Sequence, residues 1–143
     1  MNLKGSTQNF REYVIRQLII LGDEKSHFLD NHTPNQGHER NQLDRLLTTY
    51  IDAVETLLTQ PDDRLSSVVL IGCHISITYI EDNDSEQFTI VYPDESDPSN
   101  ARISFISPLA SQLLLKTQGA IVTIKTPAGE YQVRIDSISP LSE

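Results

Sequence analysis

The 143-residue chain has no tryptophan and a single cysteine, Cys73. One cysteine cannot close an internal disulfide, which suits a reducing compartment. It sits in the run Val68-Val69-Leu70-Ile71-Gly72-Cys73, where a small buried core residue is expected rather than a reactive thiol. No apolar run approaches the roughly 18 residues of a membrane span. The opening Met1-Asn2-Leu3-Lys4-Gly5-Ser6 lacks the apolar stretch of a signal peptide. The reading is a soluble, cytoplasmic protein without a membrane partner.

Positive charge is also scarce, with 11 Lys and Arg against 20 Asp and Glu and a net charge of -9. Residues 1–60 hold six basic and eight acidic side chains; residues 61–143 hold five and twelve. Such a field repels duplex nucleic acid and favours a basic patch on a partner protein. Nucleic acid is therefore expected to be met only through such a partner. The charge also serves solubility. The length fits one domain or two small ones, with a core that needs neither metal nor disulfide.

Two periodicities divide the chain. Phe10, Val14, Leu18, Leu21, Lys25 and Phe28 lie three or four apart, and so do Leu43, Leu47, Tyr50, Val54 and Leu57, with Leu46, Ile51 and Leu58 widening the second stripe. These spacings predict helices over Asn9–Asp30 and Gln36–Gln60 that pack as an antiparallel two-helix coiled coil. Asn31-His32-Thr33-Pro34-Asn35-Gln36-Gly37-His38 supplies the turn. Gly22 weakens the first helix and marks a place where it stops or bends. Ile15, Ile19 and Ile20 lie off the main stripe and offer a surface to a second copy of the chain, a homodimer.

After Pro61-Asp62-Asp63 the period becomes two. Ile75, Ile77 and Tyr79, then Phe88, Ile90 and Tyr92, then Ile121, Val122 and Ile124, then Tyr131, Val133, Ile135 and Ile138 read as strands. Glu81-Asp82-Asn83-Asp84-Ser85 reads as a hairpin loop and Pro127-Ala128-Gly129 as a tight turn. One helix interrupts them, from Ser107 to Lys116. Ser107 is placed at its N-cap and Pro108 at its first position, with Gly119 shortly after its end. The fold class is α+β, with a helical hairpin over residues 1–62 and an antiparallel sheet carrying one helix over residues 66–140.

Residues 66–138 carry a family resemblance. Val69-Leu70-Ile71-Gly72-Cys73-His74-Ile75, Phe88-Thr89-Ile90-Val91 with Pro93-Asp94-Glu95 and Asp97-Pro98, Ile103-Ser104, Ser107-Pro108-Leu109 running into Leu113-Leu114, Gly119, and Val122, Ile124 and Thr126-Pro127-Ala128-Gly129 come in the order of the C-terminal domain of the bacterial Gre transcription elongation factors. The chain resembles that family. The resemblance implies an FKBP-like fold without prolyl isomerase activity, docked on RNA polymerase at the entrance of its secondary channel. It also implies that the hairpin projects down that channel. Ser107, Pro108, Leu109, Pro93, Asp94 and Glu95 are the expected polymerase-binding residues. Ala110 and Ala120 depart from the family, which usually has Gly and an acidic residue there.

In the family, carboxylates at the hairpin tip help hold a second Mg²⁺ in the polymerase active centre. Asp23, Glu24 and Asp30 are the candidates here. Only Asp23 of Gly22-Asp23-Glu24-Lys25 falls on a family acidic position, and Ser26 stands where a second carboxylate is expected. The hairpin reads as short, similar to the Rnk-type relatives. The expectation is a regulator of elongation, not itself an enzyme, with no catalytic residue, no resident metal and no cofactor of its own. Two alternatives stay open: a transcript cleavage factor using the tip carboxylates, and a peptide-binding or prolyl isomerase module using Tyr79, Phe88, Tyr92, Phe105 and Tyr131. His27, His32 and His38 gather near the turn without the spacing of a closed zinc site. His74, at a strand start, is read as structural. Ser107 lacks a nucleophile elbow and is explained by its cap.

Overall fold

The structure, a computed structural model, describes residues 3–23, 25–32 and 37–140. They fall into two compact units that meet at Leu65 and Ser66.

The first unit is helical: α1 (Leu3–Asp23), α2 (Lys25–His32), α3 (His38–Leu58) and the single turn α4 (Asp62–Leu65). The expected first helix is described in two stretches, α1 and α2, and Glu24 between them lies outside the described residues. The expected second helix begins at His38, its start at Gln36 lying outside the described residues. Lys25 pairs with Asp44 at 2.5 Å, Arg40 with Asp30 at 2.9 Å, and the Arg11 guanidinium donates to the Leu58 carbonyl. Low numbers meet high ones, so α1 and α2 run antiparallel to α3.

The buried stripe of α3 is Leu43, Leu47, Tyr50 and Val54. On α1 it is Phe10, Val14, Gln17 and Leu21, continued by Leu29 on α2. Each fully buried Leu, Val or Phe contributes about 1.5–3 kcal/mol. The sequence reading placed Leu18 in this stripe and passed over Gln17. A 4-3-4 repeat from Phe10 lands on Gln17, and the helix keeps that phase. Gln17 is only 2% exposed and accepts the Tyr50 hydroxyl at 2.5 Å. A polar side chain occupies the seam because its partner comes from the opposite helix.

The second unit is a five-stranded sheet in the order β3-β2-β1-β5-β4. Its strands are β1 (Cys73–Tyr79), β2 (Asp84–Val91), β3 (Arg102–Ser104), β4 (Ile121–Thr126) and β5 (Gly129–Pro140), with the helix α5 (Pro108–Leu113) between β3 and β4. β1 pairs antiparallel with β2 from His74↔Thr89 to Tyr79↔Asp84, and with β5 from Cys73↔Pro140 to Tyr79↔Val133. Ile75, Ile77, Phe88, Ile90, Ile124, Val133 and Ile135 are all buried, together with Phe105, Ala110 and Leu113. Among the described residues no helix is long and apolar enough to cross a membrane.

Four details differ from the expectation. The sheet is mixed rather than antiparallel, because β3 lies parallel to β2, Ile103 opposite Ile90. Three residues are too few to show a period. The chain reaches that alignment through two 3-10 turns, Pro93–Glu95 and Pro98–Asn100, closed by Ala101 at φ 57°. The β1–β2 loop is also tighter than expected. Asn83 takes φ 57° and donates to the Tyr79 carbonyl at 2.8 Å, so Asp84 and Ser85 belong to β2. α5 ends at Leu113, and the left-handed residue after it is Leu115 at φ 71°. Gly119 serves the next turn, donating to the Ile135 carbonyl at 2.7 Å.

Within β5 the partner of β1 slips between Ser76↔Ser137 and Ile77↔Ile135, a bulge at Asp136. Asp136 there accepts the Thr78 hydroxyl at 2.5 Å and the Arg134 Nε at 2.8 Å. Gly72, ahead of β1, sits at φ 101° while donating to the Ile90 carbonyl at 2.8 Å. A side chain at that position would be strained.

Replacing Tyr50 with Phe removes the hydroxyl that the buried Gln17 carbonyl accepts. The expected loss is about 1–2 kcal/mol, read as a lower urea midpoint of the helical signal at 222 nm with an unchanged slope.

Candidate partner-docking surface

The six expected polymerase-binding residues lie between the end of β2 and the start of α5: Pro93, Asp94, Glu95 and Ser107 in the connection, Pro108 and Leu109 in the first turn of the helix. β2 stops at Val91, because Pro93 has no N–H to offer a ladder. Tyr92 is the residue before the 3-10 turn. Its carbonyl accepts the Glu95 N–H at 2.9 Å, and its N–H reaches the Glu95 carboxylate at 3.4 Å. Pro93 is half-buried, while Asp94 and Glu95 are exposed. Arg102 holds the turn against β3, donating its Nε to the Glu95 carbonyl at 3.3 Å.

The second segment starts where β3 ends. Phe105 donates its N–H to the Val91 carbonyl at 2.9 Å. The Ser104 Oγ accepts the Ile106 N–H at 3.2 Å and its carbonyl accepts the Ser107 N–H at 3.0 Å. Ser107 then caps α5. Its backbone is extended, its Oγ accepts the Ala110 N–H at 3.2 Å, and Pro108 takes the first helical position. A cap of this kind is worth about 1 kcal/mol. Leu109 is half-buried at the surface and Ala110 is fully buried. The family departure at Ala110 thus keeps a small residue at a core contact.

Tyr92 and Phe105 bring the two segments together. Their rings meet edge to face, 5.9 Å apart at 86°. Pro93-Asp94-Glu95 and Ser107-Pro108-Leu109 therefore flank one aromatic contact as two ends of a single surface.

Sequence reasoning did not find the residue that fixes the far side of α5. The Gln112 side-chain amide donates to the Lys125 carbonyl at 2.8 Å and accepts the Lys125 N–H at 2.9 Å. It also donates to the Pro108 carbonyl at 2.8 Å. One amide so occupies both backbone groups of Lys125 on the outer edge of β4. No local spacing links positions 112 and 125, and only the fold joins them.

The tip candidates belong to the first unit. Asp23 is the last residue of α1 and is exposed; α2 follows it as far as His32. α2 alone rises about 12 Å. Asp30 is ion-paired with Arg40, and Glu39 stands exposed in the first turn of α3. Glu24 and the turn residues Thr33, Pro34, Asn35 and Gln36 lie outside the described residues. Among the described residues no three His, Cys, Asp or Glu come close enough together to hold a metal. His74 bonds the Thr89 hydroxyl at 3.0 Å and the Gln87 carbonyl at 3.3 Å, a structural place on the sheet.

Three groups away from this surface have shifted proton affinities. Hydrogen bonding from Thr78, then from Arg134, holds the Asp136 carboxyl below the ordinary 3.8. The Lys25 ammonium does the same for Asp44. Burial pushes the Cys73 thiol up to about 11, so it stays protonated and unreactive.

Residues 64–140 match the family described as Transcription elongation factor, GreA/GreB, C-term, and the chain belongs to that family. The transcription elongation factor GreA of Bacillus cereus is 45% identical over 74 residues, covering 52% of this chain and 47% of that protein. GreA of Bacillus subtilis is 38% identical over 93 residues, covering 65% and 59%. The chain spans about half the length of the curated relatives it matches. A solved prokaryotic transcription elongation factor GreA/GreB from Nitrosomonas europaea is 26% identical, covering 69% of this chain and 92% of that one, with a TM-score of 0.47.

Gln112→Ala frees both backbone groups of Lys125 to water. The expected result is faster amide exchange at Lys125 and a stability loss of about 0.5–1.5 kcal/mol in the sheet unit. The amides of β1, paired on both sides, are expected to keep their exchange rates.

Proposed function

We propose that this chain is an RNA polymerase-binding regulator of transcription elongation that docks at the secondary-channel entrance and does not efficiently stimulate transcript cleavage. The observation that carries the docking half is the family match over residues 64–140, which spans the whole surface built by Tyr92–Glu95 and Phe105–Leu109. Asp94 and Glu95 suit a basic patch on the polymerase, Pro93 and Leu109 give apolar contact, and the Ser107 cap fixes where α5 starts. In this reading residues 1–62 form a coiled-coil hairpin and residues 66–140 an FKBP-like domain. The 4-3-4 repeat on both long helices supports the first.

The second half of the proposal concerns the hairpin. Asp23 lies ahead of the whole of α2, and Asp30 is ion-paired with Arg40. A carboxylate serving a Mg²⁺ ion has to reach it directly. The chain then performs no bond-breaking step itself, and any effect on the RNA passes through the polymerase.

One observation favours a homodimer alongside this. Ile15, Ile19 and Ile20 are 41%, 59% and 55% exposed on α1, and Ile15 and Ile19 line a groove together with Leu18, Gly22, Asp23, Glu55 and Leu58. A twofold axis presents each patch to its own copy. Light scattering of the pure protein is expected to give twice the chain mass, and a monomer at all concentrations removes this reading.

Pull-down with purified core polymerase is expected to retain the chain at micromolar concentration. Asp94→Lys is expected to weaken retention about tenfold, a loss of about 1.4 kcal/mol, with an unchanged far-UV spectrum. Absence of binding by the unaltered chain overturns the proposal. In backtracked complexes the RNA should shorten no faster with the protein than without it. Faster shortening, abolished by Asp23→Asn or Asp30→Asn, would establish the cleavage-factor alternative instead.

A further inference from the structure

The core face of the sheet does not stay apolar to its end. Two residues beyond Ile77 on β1 stands Tyr79, two before Phe88 on β2 stands Glu86, and two before Val133 on β5 stands Tyr131. Side chains alternate along a strand, so these three continue the face that carries the core. Pairing places Tyr79 opposite Val133 and Glu86 opposite Ile77. The two rings are consequently diagonal neighbours, with centroids 5.8 Å apart and planes tilted by 44°. The Tyr79 hydroxyl donates to the Glu86 carboxylate at 2.5 Å.

A cleft of about 290 Å³ opens over this pair, lined by Tyr79, Glu81, Asp82, Tyr131 and Gln132. Two acidic residues, Glu81 and Asp82, thus line the cleft beside the rings, and a third, Glu86, accepts the Tyr79 hydroxyl. Among the described residues none of the three makes an ion pair. The Glu86 charge reaches both rings. Both tyrosine hydroxyls are pushed above their ordinary range, by burial first and by the Glu86 charge as well.

Ring faces and carboxylates attract the same thing, a cation with a flat apolar surface. A guanidinium group fits both parts, stacking on an aromatic face while its edge donates to a carboxylate. The cleft is small for a free ligand, since pockets for whole small molecules begin at about 300 Å³ and enclose most of the ligand. A side chain tethered to its own backbone needs less.

We propose that the cleft between Tyr79 and Tyr131 receives an arginine side chain from a basic segment of a partner protein, its guanidinium stacked on the rings and bonded to the carboxylates of Glu81, Asp82 and Glu86. The site is built by β1, β2 and β5 and uses none of the residues between Tyr92 and Leu109, so it stands whether or not the polymerase reading does.

The test is a titration of the full, isotope-labelled chain with an acetylated and amidated Gly-Arg-Gly peptide, followed by amide shifts. The matched peptide with citrulline in place of arginine keeps the shape and removes the charge. Saturable shifts are expected at Tyr79, Glu81, Asp82 and Tyr131 in the millimolar range, a free energy of about 4 kcal/mol. The citrulline peptide should bind at least about tenfold more weakly. Asp82→Asn and Glu86→Gln, both at exposed positions, should each weaken binding about threefold to tenfold while leaving the remaining spectrum in place. Tyr131→Leu should do the same. Equal binding of the two peptides, shifts spread over every acidic segment, shifts confined to Pro93–Glu95, or no shift at about 10 mM peptide would each overturn the proposal.

Discussion

The sheet unit depends on β1 being paired along both of its edges. β2 reaches it through a short turn, which is a local event. β5 reaches it only after β3, α5 and β4 have been laid down, and it joins Cys73 to Pro140. That second pairing determines where the intervening chain can go. With both edges of β1 occupied, β3 must add outside β2 and β4 outside β5, which is the observed order. The 3-10 turn Pro93–Glu95 and the start of α5, which hold the six candidate contact residues, follow from that order. Non-local pairing of this kind slows folding relative to a hairpin, so the helical unit and the sheet unit are governed by different kinetics.

The helical unit rests on a regular seam with one polar exception. Gln17 and Tyr50 share a buried hydrogen bond in a stripe otherwise made of Phe, Val and Leu. Such a pair fixes register, because sliding either helix by one turn strands both polar groups in an apolar layer. Lys25–Asp44 and Arg40–Asp30 sit on the outside of the same seam and add little energy at their exposure. Their use is in orientation, since both require the antiparallel arrangement.

Much of this was legible in the residues. The change of period after Pro61 separates helix from strand, and the Ser107-Pro108 start of α5 holds to the atom. What stayed hidden has physical causes. Gln17 was passed over because polar residues are read as surface, although its position in the 4-3-4 repeat is regular. β3 was missed because Arg102-Ile103-Ser104 is shorter than any period. The bulge at Asp136 did leave a trace: Ile135 and Ile138 are both buried though three apart, which an even alternation cannot give. The six candidate contact residues rest on the resemblance alone. Their structural support, the Tyr92–Phe105 ring pair and the Gln112 amide, depends on contacts between strands and could not be inferred from spacing.

β4 is an outer strand, and its free edge is the kind of surface on which another chain's strand can lay itself down. At Lys125 that edge is already taken by the amide of Gln112, which imitates a neighbouring backbone with one donor and one acceptor. A fibril growing along β4 would have to displace a side chain anchored in α5, and α5 is anchored in turn by Ala110 and Leu113 in the core. The candidate helix start is thus mechanically continuous with the side chain that occupies this edge.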